Sequence, residues 1–379
     1  MKLVARTLSG LASAIEIDGP VFQSIVPLRS DSPDLPWIAP GLVDLQVNGF
    51  AGIDFNRALE SDDAWQHATH QLYAYGCTSF LIALITNREE ASRDLLTGLS
   101  QRIARRPRNC LGFHLEGPWL NPGPGTRGAH RPEWMQPATP RLLDDWRSLV
   151  GDLLKLVTLA PEIETAAALD VIRAGVGHRI AFFLGHSEAI GDTLQRAVDA
   201  GAVGWTHLGN AVPATVPKFD NVILHVLAQS GLRASLIPDG LHLPPHAFRA
   251  LAQSLARATP SRLLLTTDAM AGAAAPPGTY TLGEVVVRVG ADGAARLPDS
   301  GRLAGSTLTP FAGVLRAQKM AALGLEATWN AFSRHPASLL GLDHEILAGN
   351  SADFCLLSPE KEPRLLSTWH CGQCVYAAP

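Results

Sequence analysis

The sequence predicts an α/β protein: a (β/α)8 barrel of the TIM type with a small β-sandwich domain built from both chain ends. Three observations carry this. Eight short apolar runs alternate with segments of helical spacing, four of the runs end abruptly in Glu, His, His or Asp, and the two chain ends show strand-like pieces punctuated by Gly and Pro. Strands alternating with helices give a parallel sheet, and eight of them fit a closed barrel better than an open one.

The runs are Leu42 to Val47, Ser79 to Ile85, Leu111 to Glu116, Leu153 to Leu159, Ile180 to Leu184, Ala202 to Thr206, Leu232 to Ile237 and Arg262 to Thr267. Between them, Asp63 to Tyr75, Glu89 to Arg105, Ala189 to Ala200 and His246 to Ala258 space their apolar residues as helices do. The barrel is therefore expected over residues 41–344. Residues 1–40 and 345–379 are expected to join as the small β-domain, since the termini of a domain tend to lie close together. Thr279 to Leu297 reads as strand and turn, an excursion over the barrel mouth between the eighth strand and its helix.

Composition narrows the function. A chain of 379 residues, 46% hydrophobic and only 17% charged, can bury a large core. The net charge of −4 and the lack of a Lys/Arg cluster argue against nucleic acid as a partner. No apolar stretch approaches the roughly 18 residues of a membrane span, and residues 1–6 do not open a secretory signal, so a cytoplasmic protein is expected. Five scattered cysteines fit reduced thiols; Cys371 and Cys374 form an isolated C-x-x-C pair beside His370 and read as ordinary thiols.

The four terminated runs carry the chemistry. A parallel barrel keeps its active site at the C-terminal rim of its strands. Glu116, His186 and His207 would offer that rim one carboxylate and two imidazoles, a catalytic divalent-metal set with a position open for water. Asp268 ends the most apolar run, where a carboxylate is costly unless paired or functional, and would serve as general base and then general acid. His130 follows a Gly- and Pro-rich loop that could set it over the mouth to polarise a carbonyl, or it is a surface histidine. His114 shares a barrel face with Glu116 and is either a supporting partner of the ligands or a core residue.

As an ordered set, these motifs resemble those of the N-acetylglucosamine-6-phosphate deacetylase family of the amidohydrolase superfamily, over nearly the whole chain. The matching words are Pro40 to Gly49, His114-Leu115-Glu116-Gly117-Pro118 with Gly128-Ala129-His130, Gly185-His186-Ser187, Thr206 to Ala211, Asp239 to His242, Thr267 to Met270 and Leu303 to Thr309. The resemblance implies a barrel flanked by a β-domain, a homodimer, metal ligation by Glu116, His186 and His207, catalysis by Asp268 and carbonyl polarisation by His130. It implies substrate contacts at Asn210, Ala211 and His242 and along Leu303, Ala304, Gly305 and Ser306. Where many amidohydrolases have a His-x-His pair this chain has Gln46-Val47-Asn48, which points to one divalent ion, expected as zinc with iron, manganese or cobalt as substitutes. Lys218 stands where the family carries a phosphate-holding arginine, and lysine offers a point charge instead of a bidentate fork. The expected reaction is deacetylation of an N-acetyl amino sugar, N-acetylglucosamine 6-phosphate first. A non-phosphorylated or differently substituted N-acetyl sugar, or another N-acyl or cyclic amide, is the alternative.

Overall fold

Eight parallel strands follow one another in chain order around one sheet: Leu42–Val47, Cys77–Ile85, Cys110–Glu116, Leu154–Leu159, Ala181–Leu184, Ala202–Trp205, Arg233–Leu236 and Leu263–Leu265. This is a computed structural model, and it describes residues 1–29, 32–105 and 109–379; residues 30 and 31 of the expected end domain and 106–108 of the expected barrel lie outside the described residues. Val47 bridges Ala269 in parallel, and the Asn48 N–H donates to Ala269 O at 2.7 Å, which joins the first strand to the chain leaving the eighth. The strands are nearly all buried, which is why they read as unbroken apolar runs without period-two alternation.

The same junction is held by Asp44, a carboxylate with no solvent access inside the first strand. It accepts hydrogen bonds from Thr266 Oγ1 at 2.6 Å, Thr267 Oγ1 at 2.5 Å and Thr267 N at 3.2 Å. Burial still pushes its carboxyl up to about 6 against these bonds.

Each strand leads into an outer helix: Asp62–Tyr73, Glu89–Arg105, Pro140–Val150, Thr165–Val176, Gly191–Ala200, Val222–Ala228, Pro245–Ala256 and Pro310–Ala321. The third shows the local logic. Thr139 accepts from Leu142 N, Pro140 occupies the first turn where its missing N–H costs nothing, and Leu142, Leu143, Trp146 and Val150 line one buried stripe. Ser61 and Asn221 cap the first and sixth helices in the same way.

Leu45, Leu81, Leu156, Phe183 and Leu264 fill the barrel interior, with Leu339 and Leu340 packed against them. Two further helices, Leu325–Ala331 and Arg334–Leu339, close the end where the strands begin: Trp329 Nε1 donates to Pro40 O at 2.7 Å and Ser333 Oγ to Gly41 O at 2.8 Å. His114 belongs to this interior. One ring nitrogen meets Leu45 O at 3.0 Å and the other Thr158 Oγ1 at 2.8 Å, so it is a core residue tying three strands. The chemistry is left to the opposite end.

Both chain ends form one seven-stranded mixed sheet, in the order Gln373–Ala377, Leu365–His370, Phe354–Leu357, Trp37–Pro40, Lys2–Thr7, Ala12–Asp18, Val21–Pro27. All its pairings are antiparallel except that of Lys2–Thr7 with Trp37–Pro40. Ala5, Ile15, Ile17, Phe22, Ile38, Ala352 and Phe354 make its core. The excursion after the eighth strand is a three-stranded antiparallel sheet, Gly278–Leu282, Val285–Val289 and Ala295–Arg296, packed on its own apolar cluster.

Candidate active site

Glu116 sits at the tip of the third barrel strand, and His186, His207 and Asp268 follow the fifth, sixth and eighth. All four are at least nine-tenths buried, as is His130. The Glu116 carboxylate is the hub. His207 Nε2 lies 2.9 Å and His186 Nε2 3.3 Å from Oε1, and His130 Nε2 lies 3.5 Å from Oε2. Burial would raise the Glu116 carboxyl, but the three imidazoles of His130, His186 and His207 around it outweigh this and hold it well below the ordinary range.

Hydrogen-bond partners fix the imidazole tautomers. The His186 Nδ1 faces the Thr126 carbonyl at 2.7 Å, and a carbonyl can only accept, so Nδ1 carries the proton and Nε2 a lone pair. That lone pair is buried, has no hydrogen-bond partner and faces a carboxylate oxygen. Two lone pairs at this distance repel unless a cation lies between them, so the donor set fits a divalent metal ion. His130 is the reverse case. Thr86 N, a donor only, approaches its Nδ1 at 3.3 Å, the Thr86 hydroxyl 2.9 Å away can donate to it too, and the Glu116 carboxylate faces Nε2, an arrangement that favours the proton on Nε2. Glu116, His130 and His186 also bring ligand atoms within 4.8 Å of one another, although a protonated Nε2 makes His130 a donor toward the cavity. Burial first, then the neighbouring His186, lower His130 to about 4, so the ring is neutral at pH 7.

Asp268 faces this cluster. Burial and the Glu116 charge push its carboxyl up to about 7, while Asn48 Nδ2 donates to Oδ1 at 2.8 Å. Gln46 Nε2 donates likewise to Glu116 Oε1 at 3.0 Å. At the positions of the superfamily's His pair, this chain thus has two amide donors aimed at the two carboxylates. His242 lies across the mouth, its Nδ1 held by Asp239 Oδ2 at 2.7 Å; burial opposes its charging, but Asp239 prevails and its pKa is raised.

A cavity of about 280 Å³ opens over these groups. Asn210, Ala211, His242, Leu303, Ala304 and Gly305, the positions where the resemblance implies substrate contacts, line it. Ser306 lies behind the wall, its hydroxyl donating to Thr267 O at 2.6 Å and its N–H to Asp268 O at 2.8 Å. Lys218 is elsewhere: it is exposed, outside the cavity lining, with Nζ 5.3 Å from the Phe219 ring centroid. Arg302, which the sequence analysis did not single out, lines the cavity instead.

Two supporting groups also escaped the sequence. Glu162 accepts from Asn121 Nδ2 at 2.9 Å, Ser187 Oγ at 2.6 Å and Glu188 N at 2.7 Å, stapling the loop that holds Thr126 to the segment after His186. Asn56 bonds Asn48 O, Ala83 O and Ile85 N, holding the first two strand ends together. Nothing in a lone Glu or Asn flags such a role. Asp44 had a signal, an acidic residue inside an apolar run.

The five cysteines are unpaired. Cys371 joins His370 and Asp353 in a second cluster, in the end sheet, whose ligand atoms lie within 4.8 Å of one another. Among the described residues no helix is long and apolar enough to cross a membrane.

A closed parallel barrel with a carboxylate and two imidazoles ready for a cation, and a carboxylate opposite, defines a metal-dependent hydrolase of the amidohydrolase type. Known proteins agree. The chain is 30% identical to an N-acetylglucosamine-6-phosphate deacetylase of Vibrio furnissii, over 98% of this chain and 90% of that one. It is 31% identical to an N-acetylgalactosamine-6-phosphate deacetylase of Shewanella sp. (strain ANA-3), over 90% of this chain and 84% of that one. Among solved structures, a mutant of N-acetyl-D-glucosamine-6-phosphate deacetylase from Mycobacterium smegmatis, in complex with N-acetyl-D-glucosamine-6-phosphate, superposes with a TM-score of 0.88 at 26% identity and 99% coverage of both chains. No family model matches. The chain belongs to the N-acetylglucosamine-6-phosphate deacetylase family of the amidohydrolase superfamily, whose members hydrolyse an amide bond with the help of a metal.

Proposed function

We propose that this chain removes the acetyl group of N-acetylglucosamine 6-phosphate, giving acetate and the amino sugar phosphate. The observation that carries the reading is the convergence of Glu116, His186, His207, His130 and Asp268 on one buried end of the cavity. Glu116, His186 and His207 would hold one divalent ion, of the zinc class with iron, manganese or cobalt as substitutes. Bound there, it supplies a Lewis acid for water and for the scissile carbonyl. Asp268, carrying a raised pKa, takes the proton from the attacking water and delivers it to the departing nitrogen. His130 Nε2–H donates to the oxygen that gains charge, and as a neutral donor it loses no proton in doing so. Gln46 and Asn48 turn amide N–H groups toward the carboxylates, which supports one ion over a bridged pair. We read the protein as a cytoplasmic homodimer, on the family resemblance.

The Asp268→Asn variant tests the mechanism. It should bind metal at parent stoichiometry and lose about 10² to 10⁴ of its turnover; normal turnover in that variant would refute the assignment. The Shewanella relative makes the 4-epimer a specific second substrate, and kcat/KM on both sugar phosphates separates the two readings.

A further inference from the structure

We propose that Arg302 is the cation that holds the substrate phosphate, supplied from within the same chain. This rests on the reading that the substrate is a sugar phosphate. Among the described residues Arg302 is the one Lys or Arg that lines the cavity. Its guanidinium is uncommitted: its one side-chain hydrogen bond runs from Nε to Ser300 Oγ at 3.4 Å, and no described carboxylate comes within 4 Å. Two neighbouring arginines differ, since Arg88 is paired with Glu284 and Arg131 with Glu133, and Arg127, though near, does not line the cavity. A half-buried, unpaired guanidinium in a cavity wall has lost hydration without gaining a partner, which suits an anion that arrives with the ligand.

Its placement matches the substrate's shape. Ser306 N is tied to Asp268 O at 2.8 Å, and Arg302 lies four residues upstream. Four residues of extended chain span at most about 13 Å. The segment is anchored at its outer end, where Leu297 N donates to Arg302 O at 2.8 Å and Arg296 bridges Leu303. Arg302 and Asp268 thus line one cavity on a segment long enough for the guanidinium to meet the 6-phosphate of a pyranose whose 2-acetamido group, across the ring, faces Asp268. Lys218, at the position where the resemblance expects the phosphate contact, is exposed and outside the cavity lining of its own chain.

The test is steady-state kinetics on N-acetylglucosamine with and without the 6-phosphate, for the metal-loaded parent, Arg302→Gln, Arg302→Lys and Lys218→Ala. The expected result is a parent preference for the phosphorylated sugar. Arg302→Gln should lower kcat/KM on that sugar by about 10- to 100-fold, mostly through KM, with the loss confined to it. Arg302→Lys should recover part of the loss, and Lys218→Ala should lose less than Arg302→Gln. An equal loss on both sugars, or no loss in Arg302→Gln, overturns the proposal, as does a larger loss in Lys218→Ala. A parent without preference defeats the sugar-phosphate reading itself, whereas a parent preference that survives Arg302→Gln defeats the role of Arg302 alone.

Discussion

Glu162 touches neither the cavity nor the expected metal ligands, yet its removal should weaken metal binding. Its two oxygens close a ring: through Asn121 to the Thr126 loop, from Thr126 O to His186 Nδ1, and through Ser187 and Glu188 back to Glu162. Glu162→Ala removes three acceptor contacts. Asn121 and Glu188 are partly exposed and can turn to water, so those contacts are worth about 0.5–1.5 kcal/mol net each, whereas the buried Ser187 hydroxyl loses its acceptor at about 1–3 kcal/mol. The loop therefore loses about 2–6 kcal/mol of ordering. Part of that is borne by the orientation of His186, in line with the 10- to 100-fold losses seen when groups that orient metal ligands are changed. Competition against a chromophoric chelator should show the apo variant binding zinc about 10- to 100-fold more weakly than the parent. Glu162→Gln, which keeps one acceptor oxygen, should fall between. Parent-like affinity in a folded Glu162→Ala protein would show that Thr126 O and the backbone alone hold His186.

Two further perturbations probe the loop and the end sheet. Gly128 has φ +56°, and a Cβ there would stand 3.0 Å from His186 Cε1, so Gly128→Ala should cost about tenfold in kcat/KM or metal affinity through a displaced imidazole; parent values in both would contradict this contact. In the end sheet, burial would lower His370, but Asp353 2.9 Å away and Cys371 outweigh it and raise it to about 9 from 6.5. A raised His pKa means stability fully present below pH 6.5 and lost as pH rises through about 9, by up to about 3 kcal/mol for that shift. The melting temperature of the parent should therefore fall more steeply than that of His370→Gln between pH 6.5 and 9.5, and parallel profiles would remove this ion pair from the account.

The barrel was legible because buried parallel strands must be apolar throughout, and eight such runs leave little else to build. The polar groups clustered at its rim were legible because a polar group that ends an apolar run needs a reason. The mixed sheet was legible only as two sets of strands. That Phe354–Leu357 and Lys2–Thr7 flank Trp37–Pro40 is decided by packing on Ile38 and Phe354, and no local pattern encodes it. Asp44 and Glu162 act on partners 222 and 25 residues away, so their meaning lies in pairs that one sequence does not display. Lys218 shows the opposite hazard. Its chain position suggests a phosphate contact, yet within its own chain it is exposed and outside the cavity lining, where the cation is Arg302 on a separate segment.

What unites the four strand ends is how the chain leaves them. His186, His207 and Asp268 have φ of +51°, +34° and +51°, in the left-handed region that non-glycine residues seldom adopt. At Glu116 the carboxylate stays in the strand and Gly117, at φ +91°, takes the turn. A continuing strand would send each side chain alternately into the core or toward the helices. A left-handed step at the rim breaks that alternation and lets four strands aim their last polar group at one point. The three non-glycine turns cost about 1–2 kcal/mol each, and such strain persists only where the surroundings over-determine it. Here Thr126 O holds the His186 ring, Ser235 Oγ accepts from His207 N at 2.8 Å, and Asn48 and Ser306 grip Asp268. The groups a sequence reading passes over are those that keep these turns in place, so changing them should move the chemistry without touching a catalytic atom.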